Sequence, residues 1–179
     1  MKSIKSTAGF TLLELMVTTS LIIIISAAMF VNLRDYNSSK QLDLAGNEFV
    51  FQVERMRNFT QTGKKFNDLV SPGGWGVQFS AGDENAIQYI LFADMDSNEA
   101  YTAGEQFSSA TLPHTVYFKQ ISSASLGVPV DIVYKPSYGD YYIDGERASS
   151  DINITLGLPQ KLEERVITIR KTSGAFELE

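Results

Sequence analysis

One stretch governs the architecture: Phe10 to Val31, FTLLELMVTTSLIIIISAAMFV, 22 residues whose only charge is Glu14 and whose other polar members are Thr and Ser. Wound into an α-helix at 1.5 Å per residue it would reach about 33 Å, the scale of a bilayer core of roughly 30 Å. The stretch therefore predicts a transmembrane helix over residues 10–31. Lys2 and Lys5 precede it without an acid, while Arg34 and Asp35 come after it and cancel. That asymmetry predicts a single pass through a membrane, with the N-terminus cytoplasmic and the C-terminal domain extracytoplasmic. A secretory signal cut near Ser26-Ala27-Ala28 is the competing reading. Against it stand the length of the apolar run and the carboxylate in its second turn, which costs several kcal/mol in lipid unless paired.

Toward the C-terminus the helix continues with a different pattern. Leu42, Ala45, Phe49, Val53, Met56 and Thr60 recur every three or four residues, which puts them on one helical face. No Pro occurs before Pro72, and Gly46 is the one weak point, costing about 1 kcal/mol relative to Ala. Residues 32–62 are thus expected to form the amphipathic half of a long spine. From Thr62-Gly63 and Ser71-Pro72-Gly73-Gly74 the period changes to two: Trp75, Val77 and Phe79 alternate with Gly76 and Gln78. Further short segments stand at 86–93, 116–121, 130–135, 141–143, 152–156, 165–171 and 175–178, separated by turn residues. The expected fold class is α+β, a long N-terminal helical spine packed on a C-terminal antiparallel β-sheet or small β-sandwich over residues 63–179.

Composition excludes much chemistry. The chain has 179 residues, 15 Lys+Arg against 21 Asp+Glu, a formal charge of −6 and no Cys, so disulfides, thiolate metal sites and Cys nucleophiles are absent. From Gln61 onward 9 basic residues face 16 acidic ones, with Arg165, Arg170 and Lys171 as the one late basic cluster. That balance argues against nucleic-acid binding. His114 has no partner at catalytic spacing, and Gly73-Gly74-Trp75-Gly76 leads into a strand where a phosphate loop leads into a helix. The carboxylate pairs Asp140/Asp144 and Glu163/Glu164 read as acidic turns. Tyr138, Tyr141 and Tyr142 read as cross-strand packing or an aromatic contact patch. No enzyme is expected.

Lys2, Lys5 and the run Gly9-Phe10-Thr11-Leu12-Leu13-Glu14-Leu15-Met16-Val17 resemble the leader and mature N-terminus of type IV prepilins and type II secretion pseudopilins. The resemblance implies a leader over residues 1–9, cleavage by prepilin peptidase between Gly9 and Phe10, and N-methylation that leaves a methylphenylalanine. It also implies that Glu14 meets the Phe10 amine of a neighbouring subunit during assembly. The order of the later segments is similar to the GspH/FimT minor pseudopilin group. The function implied by the resemblance is that of a minor pilin or pseudopilin built into a type II secretion pseudopilus or type IV pilus for protein secretion. Its partners would be other pilins through the spine, the peptidase, the inner membrane and its assembly platform. The alternatives are a signal-anchored extracytoplasmic binding domain and a FimT-like minor pilin in DNA uptake.

One loop carries metal chemistry. Asp94, Asp96, Asn98 and Glu105 stand at positions 1, 3, 5 and 12 of a calcium-loop spacing, although Glu99 occupies the position where an EF-hand has Gly. No cofactor is required by this reading, and Ca2+ is the ion it admits.

Overall fold

The structure, a computed structural model, describes residues 10–113, 116–122, 127–136, 140–159, 161–171 and 174–178, with the backbone only for 29–35. The leader with Gly9, and also His114 and Tyr138, lie outside the described residues. Among the described residues one helix, α1 (Leu12–Thr62), precedes twelve strands. They are β1 (Lys65–Phe66), β2 (Leu69–Val70), β3 (Gly74–Ser80), β4 (Gln88–Asp94), β5 (Gln106–Thr111), β6 (Tyr117–Ile121), β7 (Pro129–Tyr134), β8 (Tyr141–Ile143), β9 (Glu146–Arg147), β10 (Ile152–Gly157), β11 (Glu164–Ile169) and β12 (Phe176–Leu178). By their contacts the residues divide into two units, Met1–Ser38 and Ser39–Glu179.

In the second unit α1 ends in a Schellman turn. Gly63 takes φ 62°, the Lys64 N–H donates to the Phe59 carbonyl at 2.9 Å, and the Gly63 N–H donates to Thr60 at 3.4 Å. Two-residue turns close the small hairpins: Asn67-Asp68 joins β1 to β2, and Asp144-Gly145 joins β8 to β9. Each places both residues at positive φ, the conformation whose twist matches that of paired strands. All strand pairs are antiparallel, in orders β1-β2, β12-β11-β10-β6 and β5-β4-β3-β7-β8-β9.

The core gathers the α1 stripe and the inner faces of the two larger sheets. Leu42, Ala45, Phe49, Val53 and Met56 are all fully buried. Phe49 meets Phe79 and Tyr89 of the six-stranded sheet edge-on at 5.3 Å each, and Phe118 of the four-stranded sheet at 5.0 Å. Thr60 closes the stripe with a polar contact. Its Oγ1 accepts from the Trp75 N–H at 3.0 Å and lies 3.1 Å from the Tyr134 carbonyl, joining the end of α1 to both β3 and β7.

The expected spine is corrected in three respects. Among the described residues no helix is long and apolar enough to cross a membrane. The described apolar side chains run from Leu12 to Ala28, about 25 Å of helix against a hydrocarbon core of roughly 30 Å, and Glu14 and Thr18-Thr19-Ser20 interrupt them. The three hydroxyls donate to carbonyls one turn back, at Leu15 and Met16. This overturns the transmembrane segment and the single-pass inner-membrane placement that depended on it. Second, the residues of α1 fall in both units, and among its described side chains the first that is buried is Leu42. Third, where one antiparallel sheet or a small sandwich is expected, the described strands make three sheets: the Asn67-Asp68 hairpin pairs only with itself, and β6 pairs with β10 outside the larger sheet.

Candidate functional site

The start of α1 is built from three hydrogen bonds between Thr11 and Glu14. Thr11 Oγ1 accepts from the Glu14 N–H at 3.2 Å, and Glu14 Oε2 accepts from the Thr11 N–H at 2.9 Å and its hydroxyl at 3.0 Å. This is a capping box, which satisfies two donors that a helix start leaves free. The Thr11 bonds, backbone first, hold the Glu14 carboxyl below its ordinary range. Negative charge at this end also suits the helix dipole. Phe10 precedes the cap and is exposed. Thr-x-x-Glu before an apolar run was the available signal for this arrangement, and reading Glu14 only as an assembly carboxylate misses it.

Beyond the cap lies an unusual surface. Leu12, Leu13, Leu15, Met16, Val17, Leu21 and Ile22 to Ile25 are all exposed by half or more. Successive residues of a helix point about 100° apart, so the apolar surface of Leu21–Ile25 wraps the helix.

The acidic loop after β4 brings the carboxylates of Asp94, Asp96 and Glu105 together, with Asn98 hydrogen-bonded to the first two. One carboxylate oxygen from each of Asp94, Asp96 and Glu105 falls within 4.8 Å of the others. Asp94 Oδ1 and Oδ2 accept from the N–H groups of Asn98 (3.2 Å) and Glu99 (3.1 Å). Glu105 accepts from Met95 at 2.6 Å, Asp96 at 3.3 Å and Thr102 at 2.9 Å. Asn98 ties the loop to itself, donating to Asp96 and Thr102 and accepting from Ala100. Burial raises the Asp94 carboxyl above its ordinary range; the N–H groups of Glu99, Ser97 and Asn98 oppose this, and the Glu105 charge adds to it. Glu99, at the position of the EF-hand glycine, takes φ 60° and pairs with Lys135. Chemically the site offers hard oxygen donors suited to a divalent cation.

Other residues singled out in the sequence serve the fold. Asp140 pairs with Arg147 at 2.7 Å, Asp144 accepts from the Asp131 N–H at 2.9 Å, Glu163 accepts from Ser39 at 3.2 Å, and Glu164 pairs with Lys119. Of the aromatic patch, Tyr141 is buried and Tyr142 lies under the Lys135 ammonium at 4.5 Å. The basic cluster is largely neutralised, with Arg165 on Asp43 at 2.7 Å and Arg170 on Asp151 and Glu177. The glycines before β3 allow close approach. A Cβ on Gly73 would stand 2.1 Å from Asp94 Oδ2, and one on Gly74, at φ 102°, would stand 1.9 Å from the Tyr134 carbonyl oxygen.

Comparison with protein-family models, curated proteins and solved structures finds no match to this chain.

Proposed function

We propose that the chain is a structural subunit of a pilin-like filament, a minor pilin or pseudopilin that is cut between Gly9 and Phe10 and assembles through the first turns of α1. The observation that carries this reading is the exposed apolar surface from Leu12 to Ile25, whose one charge is Glu14. Such a helix lowers its free energy only against other apolar surface, at about 25 cal/mol per Å² removed from water. Copies of the same helix, or those of related pilins, supply that surface. Glu14 has Oε2 engaged by Thr11, and Oε1 remains to meet the Phe10 ammonium of a neighbour, so that each charge offsets the desolvation of the other.

Two measurements test the proposal. Co-expressed with prepilin peptidase, the chain should have an intact mass that starts at N-methylated Phe10. Glu14→Gln retains an acceptor for the Thr11 N–H but loses the charge, and should cut incorporation into filaments about tenfold or more, a coupling of about 1.4 kcal/mol. Unchanged incorporation would remove Glu14 from assembly, and an uncleaved chain would remove the pilin reading altogether.

For the acidic loop we propose calcium, on the convergence of the Asp94, Asp96 and Glu105 oxygens. Calorimetry should give a dissociation constant of about 10⁻⁴–10⁻³ M, lost in Asp96→Asn; no heat up to about ten times that concentration rejects the site.

A further inference from the structure

A sheet edge presents unpaired N–H and C=O groups, and proteins guard it with charge, proline or cover. Three edges of the two larger sheets carry charge. β9 has Glu146 and Arg147, β12 has Glu177 held by Arg170, and β6 has Lys119 held by Glu164. The fourth, β5, reads Gln-Phe-Ser-Ser-Ala-Thr, with neither charge nor proline. The Leu112 N–H donates to the Ile87 carbonyl at 2.7 Å, which sets the phase of the ladder between β4 and β5. Counting back by two, Ala110 and Ser108 turn their backbone groups toward β4, opposite Tyr89 and Leu91. Ser109 and Thr111 turn theirs to the open side, and among the described residues nothing hydrogen-bonds to them there.

Aromatic rings and two cations stand beside this edge, on the side of α1, one of them, Arg55, donating to Gln52 Oε1 at 3.4 Å. Phe107 meets Phe59 at 5.8 Å and Trp75 at 5.3 Å, both edge-on. The Arg55 guanidinium lies 5.0 Å from the Phe59 ring and 5.6 Å from Phe107, and the Lys64 ammonium lies 5.8 Å from Phe59. Lys119, Lys135, Arg147, Arg165 and Arg170 each have a carboxylate partner. Among the described residues, Arg55 and Lys64 have none.

We propose that β5 is a docking edge for an extended segment of a partner protein, which adds as a seventh strand and sets an apolar side chain against Phe107 and a carboxylate against Arg55 and Lys64. Main-chain hydrogen bonds to Ser109 and Thr111 supply affinity, and the alternate side chains supply selection. The occupant is acidic because the two cations at this edge lack acids on a chain that is otherwise acidic, at −6. Residues two apart on a strand share a face, so the segment should carry its apolar residue and its acid at i and i+2. The proposal uses none of the residues of the apolar turns of α1, and its test does not depend on filament assembly.

The test uses the full chain in detergent micelles and two fluorescein-labelled heptapeptides, VTETVTE and VTKTVTK, read by anisotropy. The acidic peptide should bind about tenfold or more tightly than the basic one, and Arg55→Gln should erase most of that difference. Ser109→Pro removes an N–H that faces away from β4, a position where an edge strand tolerates proline, and should weaken the acidic peptide about tenfold at an unchanged melting temperature. Should Ser109→Pro melt early, slowed hydrogen exchange at Ser109 and Thr111 on adding the acidic peptide reports the same contact in the unaltered chain. Equal binding of the two peptides, no binding up to about 1 mM, or binding unaffected by both substitutions overturns the proposal. Self-association of the unaltered chain that Ser109→Pro abolishes would replace the partner segment with a second copy.

Discussion

Leu12–Ile25 and Leu42–Thr60 lie on the same helix and are both rich in apolar residues, yet the first exposes them and the second buries all its large ones but Leu44 and Phe51 by half or more. The difference is one of pattern. Leu42, Ala45, Phe49, Val53 and Met56 form one buried stripe, which the sheets of the same chain cover, while Leu44 and Phe51 stand exposed beside Glu48 and Glu54. Leu21 to Ile25 put apolar groups on every side, which no single sheet covers. A stripe closes a fold; a full apolar circumference calls for a second molecule.

Truncation should separate the two halves most sharply. Phe49→Ala removes a ring that touches both larger sheets and should destabilise the chain by about 3–5 kcal/mol in urea melts. Ile23→Ala should change the same melts by less than about 0.5 kcal/mol and act on assembly instead. Equal effects would mean that the two halves are not distinct. Thr60→Val comes next. It strips the Trp75 N–H of its acceptor and removes the hydroxyl proton that the Met56 and Tyr134 carbonyls share, at a cost of about 1–3 kcal/mol. A smaller, local effect belongs to the helix start, where Thr11→Ala should cost about 1 kcal/mol. Hydrogen exchange should quicken over Leu12–Leu15 and stay unchanged over Leu42–Met56.

The smallest effect lies off the helix. Burial raises the Asp131 carboxyl, with the Asp144 and Glu105 charges adding to it, against the opposing N–H of Tyr101 and the Gln78 amide. A raised carboxyl binds its proton more tightly in the folded than in the unfolded chain. Its contribution is therefore full below the unfolded value, near 3.9, and is lost as pH rises through the folded value. Melts from about pH 4 upward should show stability falling with pH, and Asp131→Asn should flatten that slope. An unchanged slope would clear Asp131 of the effect.

How much of this the sequence discloses differs by element, for physical reasons. The helical spacing of Leu42 to Thr60 and the alternation of Trp75, Val77 and Phe79 record burial directly, because one chain supplies both sides of the contact. The run from Phe10 to Val31 records only that apolar groups are present, not what covers them, and length arithmetic alone turned it into a membrane span. β5 escapes because Gln-Phe-Ser-Ser-Ala-Thr has no apolar alternation: an edge strand with one neighbour needs little. β1, β2 and β9 are too short to carry a period, and their turns, Asn67-Asp68 and Asp144-Gly145, were the better signal. In the acidic loop the spacing of Asp94, Asp96 and Glu105 is readable, but the backbone donors that cradle them depend on Ser97 and Glu99 taking positive φ. Gly73 is explained only by the Asp94 carboxylate that packs against it from another strand.

The strand order has a consequence in time. β3 pairs with β4 soon after both are made, but its other neighbour, β7, arrives only after β5 and β6, and Ile154, Leu156, Ile167 and Ile169 come from nearly the last strands. Non-local pairing of this kind forms late and slowly. During synthesis the Leu42–Met56 stripe therefore leaves the ribosome long before its cover exists, at a moment when Leu12–Ile25 is also bare. The nascent chain carries both sticky surfaces at once, and once synthesis is complete the chain can shelter only the Leu42–Met56 stripe by itself.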